Sequence, residues 1–396
     1  MFDTANRMKL FHTSVFTELR EEKEKIEKET GKNVIDFSLG SPTIPPSETI
    51  IKAMADAVAV PSNYRYAVSP LPEMISAIQE WYQERYSCPL SENEVTLLQG
   101  SQEALVNLPL IYCNPGDGIL VPDPYYPVYV DAPRLAGAEI YPMPLKKEND
   151  YLIDFSDISA EQAKNARVMI VCYPNNPTGA VATDSFIEKL IRFARENKIL
   201  VIYDSAYSDL IYSGGPGRSF LSYPRAKEVG VEINSFSKTY GMAGARLGVL
   251  CGNEQVIRDY KVLKSNMDYG VFIPVQKAGI AALKSGKNLP KITCTEYRHK
   301  RDLLISSFRD AGWNLPEPPA TMFVWARIPD SFSSAEEFCH DLLVRTGVLV
   351  TPGSAFGSEG RRYVRLSFVL PDEQVLEAAR RIKESSFFEN LPSGRD

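Results

Sequence analysis

The segment Ser235-Phe236-Ser237-Lys238-Thr239-Tyr240-Gly241-Met242-Ala243-Gly244-Ala245-Arg246-Leu247-Gly248 decides how this chain is read. It follows a short apolar run, Val231-Glu232-Ile233, so an amine arrives just past the end of a strand. Hydroxyls flank the amine, a permanent cation stands eight residues on, and glycines let backbone approach a ligand closely. A lysine in such surroundings can form a Schiff base with an aldehyde cofactor. Taken alone, a solvated lysine in a Ser/Gly loop is the commoner outcome. Further patterns elsewhere in the chain reverse that balance.

Working outward, one rhythm repeats from about Val95 to Gly252. A short β-rich run ends in a polar or glycine-containing turn, usually followed by helical spacing. The runs are Val95–Leu98, Gly118–Val121, Val168–Cys172, Ile199–Tyr203 and Val231–Ile233. After Thr183-Asp184, either of which can cap a helix, Ile187, Leu190, Ile191 and Ala194 share one face. Strands alternating with helices predict an α/β fold with a mainly parallel sheet, whose ligands bind beyond the carboxyl ends of the strands. The polar clusters below lie close to those ends.

Gly100-Ser101-Gln102 opens a helix after the first run, where glycine and free N–H groups suit an anion. Pro122-Asp123-Pro124-Tyr125-Tyr126-Pro127 is a rigid turn offering tyrosine faces to a planar ring. Tyr173-Pro174-Asn175-Asn176-Pro177-Thr178-Gly179 is a turn that presents the Asn176 amide. Asp204 ends a buried strand, a costly place for a carboxylate unless a cation or a protonated nitrogen faces it, and Tyr207 lies three residues on. Arg365, between Val364 and Leu366, invites a carboxylate in bidentate geometry, either a structural partner or a ligand.

In this order the motifs resemble the class I pyridoxal-phosphate-dependent aminotransferases, of the aspartate aminotransferase fold. The resemblance runs from the Gly40 region to Arg365 and is most specific at Asn175–Gly179, at Asp204-Ser205-Ala206-Tyr207 and at Lys238 with Arg246. It implies a fold type I architecture, pyridoxal 5′-phosphate as cofactor, and transfer of an amino group from an L-amino acid to a 2-oxo acid by a ping-pong route. Under it, Lys238 would bind the cofactor aldehyde and shuttle the proton. Asp204 would pair with the ring nitrogen, Asn176 and Tyr207 would bind the ring oxygen, and Tyr126 would stack on the ring. Ser101, Gln102, Ser235, Ser237 and Arg246 would hold the phosphate, joined by Tyr66 from a neighbouring subunit of a homodimer. Arg365, helped by the Gly40 backbone, would clamp the substrate α-carboxylate. Lys264–Gly270 with Pro274-Val275-Gln276 resembles the alanine and LL-diaminopimelate aminotransferase subgroup. The segment Ala67–Met74 lacks the glycine the family usually carries after this tyrosine, so an altered loop is expected there.

Composition fits this reading. With 396 residues, two domains are expected: a large cofactor-binding domain over 45–285, and a smaller α+β domain from 1–44 with 286–396. An amphipathic helix is expected over Phe11–Thr30, ending near Gly31, and a short strand over Val34–Leu39. A net charge of −6 with mixed signs gives no basic stripe for nucleic acid. No apolar run is long enough for a membrane span and no secretory segment is visible at the start. The six cysteines are scattered, as expected of reduced thiols in a cytoplasm, and His12, His299 and His340 have no metal-ligand spacing. Two other readings remain: a cysteine-S-conjugate β-lyase on the same fold, and a non-catalytic ligand domain of a transcriptional regulator.

Overall fold

The computed structural model describes residues 2–11, 13–213, 217–284 and 288–389, so His12 lies outside the described residues. A seven-stranded sheet dominates. Its strands, in chain order, are β2 (Val95–Leu98), β3 (Gly118–Asp123), β4 (Glu139–Pro144), β5 (Ala166–Cys172), β6 (Leu200–Asp204), β7 (Gly230–Ser235) and β8 (Gly248–Gly252), after a short β1 (Ile35–Asp36) that lies elsewhere. The spatial order is β2-β8-β7-β6-β5-β3-β4. Neighbours from β7 through β4 are parallel, and β8 runs antiparallel to both β2 and β7.

Both faces of this sheet are covered. Met169, Val171, Val201 and Tyr203 point into one core, and Val168, Ile170, Ile202 and Ile233 into the other. That is why the strands read as continuous apolar runs rather than alternating ones. Two strands carry weaker signals. β4 is an edge strand with Pro142 and Pro144, a position where a missing N–H is tolerated. β8 is short and brackets its apolar core with Gly248 and Gly252.

Register decides what meets at the sheet's edge. Cys172 pairs with Asp204, and Asp204 with Ile233. Gly248, at the start of antiparallel β8, pairs with Leu98 on one side and Ser235 on the other. The ends of β2 and β7 therefore lie level with the entry to β8. Residues after Leu98, after Ser235 and before Gly248 are brought side by side.

A third core surrounds an antiparallel sheet of β9 (Phe323–Arg327), β11 (Thr351–Pro352) and β12 (Tyr363–Ser367), with β12 central. Arg365 sits in that central strand opposite Trp325 and Thr351. Helices Leu289–Asp310, Ala335–Thr346 and Asp372–Glu384 contribute apolar faces to this core. β1 pairs in parallel with β10 (Val348–Leu349), and the Phe37 carbonyl accepts from the Ser367 N–H.

The N-terminal helix is shorter than the sequence pattern predicts. It covers Val15–Thr30, because Phe11 and Ser14 hold extended backbone, and a separate 3-10 turn occupies Asn6–Leu10. Gly31 ends it in the left-handed conformation, at φ 67°. At helix Asp184–Asn197 the cap is Thr183, whose hydroxyl accepts from Phe186 N–H at 3.2 Å. Helix Pro72–Tyr86 begins on a proline, which suits the first turn. His299 and His340 pair with Asp372 and Glu22 at the surface. Among the described residues no helix is long and apolar enough to cross a membrane.

One buried group tests this architecture. Glu232, on β7, accepts from Tyr82 Oη (2.8 Å), Ser219 Oγ (2.9 Å) and Phe220 N–H (2.6 Å). Burial pushes its carboxyl up to about 7, although these donors pull it down. Because the folded pKa is raised, the stabilising contribution is complete below 4.5 and is lost as pH rises through about 7. Glu232→Gln should therefore gain stability relative to the parent across that interval, read as Tm against pH. Glu232→Ala leaves three buried donors without an acceptor and should cost ~3 kcal/mol in urea unfolding.

Candidate active site

A cavity of about 480 Å³ opens at the carboxyl edge of the large sheet and faces β12. Its floor is the end of β6. Asp204 is 5% exposed there, and its carboxylate accepts from Tyr129 Oη at 2.6 Å and from Ala206 N–H at 3.1 Å. Burial pushes the Asp204 carboxyl up, and these two hydrogen bonds oppose the shift. Of the two partners the sequence leaves open, a cation or a protonated nitrogen, no cation of the described residues hydrogen-bonds this carboxylate. A hydroxyl and a backbone amide take that place and leave the carboxylate bordering the cavity.

Lys238 lies in the helical turn Phe236–Thr239, directly after β7. Its Nζ donates to the Gly40 carbonyl at 2.8 Å, across the cavity from the sheet. Burial first, then the Arg365 and Arg246 charges, lower its pKa to about 8. The Ser235 hydroxyl accepts from the Ser237 N–H, fixing the turn that carries the amine.

Arg246 enters the same cavity from the segment before β8, in left-handed backbone at φ 55°. Its guanidinium presses against Gly100. Gly100 has φ 82°, which favours glycine, and a Cβ there would sit 2.2 Å from Nη2 and displace the guanidinium. Ser101 and Gln102 follow, where helix Gln102–Tyr112 begins without a side-chain cap. Ser101, Gln102, Ser235, Ser237 and Arg246 all line one end of the cavity. Hydroxyls, a helix N-terminus and a guanidinium together suit a phosphate.

At the other end Arg365 is 2% exposed. It donates to Asn176 Oδ1 (3.1 Å) and to the Ser38 carbonyl (2.9 Å), while its buried Nε has no partner. The rings of Phe323, Phe356 and Phe16 surround it at 4.2, 4.5 and 5.4 Å. Burial pushes its pKa down to about 10. The chain thus supplies neutral acceptors where the sequence invites a carboxylate, so Arg365 remains a cation seeking an anion. Asn176 also donates to Tyr207 Oη at 3.4 Å, and both line the cavity. The Asn175 side chain sets this turn, accepting from the Thr178 N–H and hydroxyl at 3.1 and 2.8 Å.

Tyr126 lines the cavity on the loop between β3 and helix Val128–Leu135. That loop is clasped. The Asp123 carboxylate accepts from Ser358 N–H (3.1 Å), Ser358 Oγ (2.6 Å) and Glu359 N–H (3.2 Å). Tyr125 N–H donates to the Phe356 carbonyl at 2.7 Å.

The structure brings together every residue proposed from sequence except Tyr66. Tyr66 is 77% exposed, outside the cavity lining, with its ring 4.9 Å from that of Tyr269. Gly40 does line the cavity, and its carbonyl receives the Lys238 amine. Lining residues that the sequence patterns do not single out include Tyr129, Phe16, Leu39 and Phe323. Tyr129 had a local signal, standing one helical turn after Tyr126. Phe16 had none, because its contact with Arg365 spans almost the whole chain.

A family profile described as "Aminotransferase class I and II" matches residues 32–382. The LL-diaminopimelate aminotransferase of Desulforudis audaxviator is 41% identical over 358 residues, covering 90% of this chain and 91% of the relative. Among solved structures, substrate-bound BacF from Bacillus subtilis superposes with a TM-score of 0.93 at 36% identity, covering 100% of both chains. A probable N-succinyldiaminopimelate aminotransferase from Thermus thermophilus gives 0.87 at 35% identity, covering 94% of this chain and 100% of that one. This chain belongs to the class I and II aminotransferases, on the fold of the pyridoxal-phosphate transferases of fold type I. It is a transaminase whose cofactor is pyridoxal phosphate, and the comparisons do not favour the β-lyase alternative. The donor set fits that cofactor: a buried carboxylate for the ring nitrogen, an amine of lowered basicity for the aldehyde, and a Ser/Arg-lined helix N-terminus for the phosphate.

The Lys238 shift has a direct readout. Only the neutral amine attacks an aldehyde, so pyridoxal phosphate should load onto the cofactor-free protein faster as pH rises through about 8. Loading rates measured from pH 6 to 10 should give that midpoint. A rise continuing toward the ordinary lysine value of 10.5 would contradict it.

Proposed function

We propose that this chain moves the amino group of an L-amino acid to a 2-oxo acid in two half-reactions, with Lys238, Asp204 and Tyr207 as its catalytic residues. The observation that carries the reading is one cavity lined by Lys238, Asp204, Arg246 and Arg365, whose two guanidinium groups suit a phosphate and a carboxylate. Arg365 takes the substrate α-carboxylate in bidentate fashion, replacing its neutral acceptors, and so turns the Cα–H bond toward Lys238. Bound pyridoxal phosphate supplies a conjugated ring that accepts the electron pair released at Cα. Lys238 Nζ, neutral in an appreciable fraction near pH 8, takes the Cα proton and returns it. Asp204 would pair with the ring nitrogen, Asn176 and Tyr207 with the ring oxygen, and Tyr126 would stack on the ring. Ser101, Gln102, Ser235, Ser237 and Arg246 would hold the phosphate. The Gly40 carbonyl positions the amine. The donor leaves as its 2-oxo acid, and a second 2-oxo acid receives the amino group by the same steps reversed. Curated relatives are named for LL-diaminopimelate, which makes that diamino acid the first donor to assay.

We further propose an active homodimer in the cytoplasm, built from a large domain over 45–285 and a smaller one from the remainder. Tyr64, Tyr66, Val68, Met267, Tyr269 and Phe272 are exposed, and Tyr64 pairs with Phe272 at 5.5 Å. An apolar patch of this kind suits a second copy, into whose cavity Tyr66 reaches. The free cysteines, five of them buried, accord with a reducing compartment.

Borohydride treatment of the cofactor-loaded protein should fix the added mass on the peptide containing Lys238, and Lys238→Ala should lose turnover by several orders of magnitude. Adduct on another lysine would overturn the assignment. Arg365→Lys should raise KM for every amino acid roughly ten- to hundredfold, ~1.5–3 kcal/mol, while cofactor stays bound. Mixing inactive Lys238→Ala subunits with inactive Tyr66→Ala subunits should regain activity, since each hybrid carries one site free of both lesions. Hybrids that form and stay inactive would show that sites are not shared.

A further inference from the structure

Asp204 has one side-chain partner, and the reaction steps above make no use of it. Tyr129 Oη donates to Asp204 Oδ2 at 2.6 Å, while Oδ1 is taken by the Ala206 N–H at 3.1 Å. Tyr129 is 1% exposed, so its hydroxyl is largely withdrawn from bulk water. The tyrosine is placed by the first turn of helix Val128–Leu135. Tyr126, three residues earlier, packs edge-on against it with ring centroids 5.8 Å apart. The helix start that presents Tyr126 to the cavity therefore also sets the hydroxyl beneath Asp204. The titratable groups acting on Asp204 come from three elements. They are Tyr126 and Tyr129 around the helix start, Cys172 at the end of β5, and Tyr207 beyond β6. Burial pushes all four pKa values up, so each is neutral at physiological pH. None supplies a compensating charge. The ionised carboxylate is held by two neutral donors, of which Tyr129 is the one a substitution can remove.

From this geometry we propose that Tyr129 is a positioning residue that fixes the Asp204 carboxylate and limits how tightly it holds a proton. The inference rests on the reading that Asp204 faces the cofactor's ring nitrogen. A hydrogen bond donated to a carboxylate favours its ionised form. Removing the hydroxyl makes Asp204 more basic. A more basic carboxylate draws the shared proton toward itself and leaves less positive charge on the ring nitrogen. That loss of charge raises the pH at which the visible band of the bound cofactor changes.

The test is a double-substitution cycle on the holoenzyme: parent, Tyr129→Phe, Asp204→Asn and the double variant. The pH midpoint of the visible band and the rate of cofactor loss on dilution are both measured. Tyr129→Phe should raise the midpoint, and cofactor should leave about tenfold faster, the order expected for losing one hydrogen bond to an ionised group. In the Asp204→Asn background the added Tyr129→Phe should move neither quantity, because no titrating carboxylate remains. Tyr129→His, which keeps a ring N–H donor at the same helical position, should return the midpoint toward the parent. A Tyr129→Phe midpoint equal to the parent's, or the same shift in both backgrounds, would reduce Tyr129 to packing and overturn the inference alone. An Asp204→Asn protein with the parent's midpoint and cofactor retention would overturn the reading of Asp204 itself, and the inference with it.

Discussion

Two guanidinium groups and an amine share one cavity, and burying these positive charges together is the constraint on which the site depends. Burial lowers the Lys238 pKa most, and the Arg365 and Arg246 charges lower it further. The cost falls on the most titratable of the three. Neither arginine can give up its proton readily, so the lysine becomes the group that does. Among the described residues neither Arg246 nor Arg365 is hydrogen-bonded to a carboxylate. Asp204 is occupied by a hydroxyl and an amide, and Arg365 by an amide oxygen and a carbonyl. A cavity built this way is poised for anions that arrive from outside, one at each end.

The sheet makes that concentration of charge feasible. Parallel strands β5, β6 and β7 end level with one another, so Asp204 and Lys238 leave the sheet on one edge. The reversed strand β8 starts on that same edge, which delivers Arg246 from a segment that precedes a strand rather than follows one. Gly100 completes the arrangement by yielding the space the guanidinium fills. Arg365 comes from a separate antiparallel sheet, where flanking aromatic rings accept a cation that water no longer solvates.

The parts of this molecule legible in the sequence are those whose physics is local. Thr183 caps its helix through a residue three positions away, and the Asn175–Gly179 turn is set by Asn175 bonding Thr178. Strands β5 and β6 announce themselves because both their faces are buried. β4 hides its strand character behind two prolines and an exposed outer surface, and the helix over Phe11–Thr30 loses its first turn to extended backbone. The site divides the same way. Lys238 and Arg246 stand on one readable segment, and Asn176 and Asp204 each follow a recognisable strand. The contacts of Tyr129 with Asp204 and of Phe16 with Arg365 exist only after folding, and no spacing encodes them. The neutral partners of Arg365 are of that kind too: the sequence leaves open a structural carboxylate or a ligand, and among the described residues the acceptors are an amide oxygen and a carbonyl.

The clasp at Asp123 has a mechanical meaning. Three hydrogen bonds to its carboxylate and the Tyr125–Phe356 backbone bond join the loop bearing Tyr126 to the segment whose Phe356 ring flanks Arg365. The wall bearing Tyr126 and the wall bearing Arg365 are thereby riveted into one piece along this side. Any breathing of the cavity that leaves the rivet intact has to pivot about it and carry these two walls together.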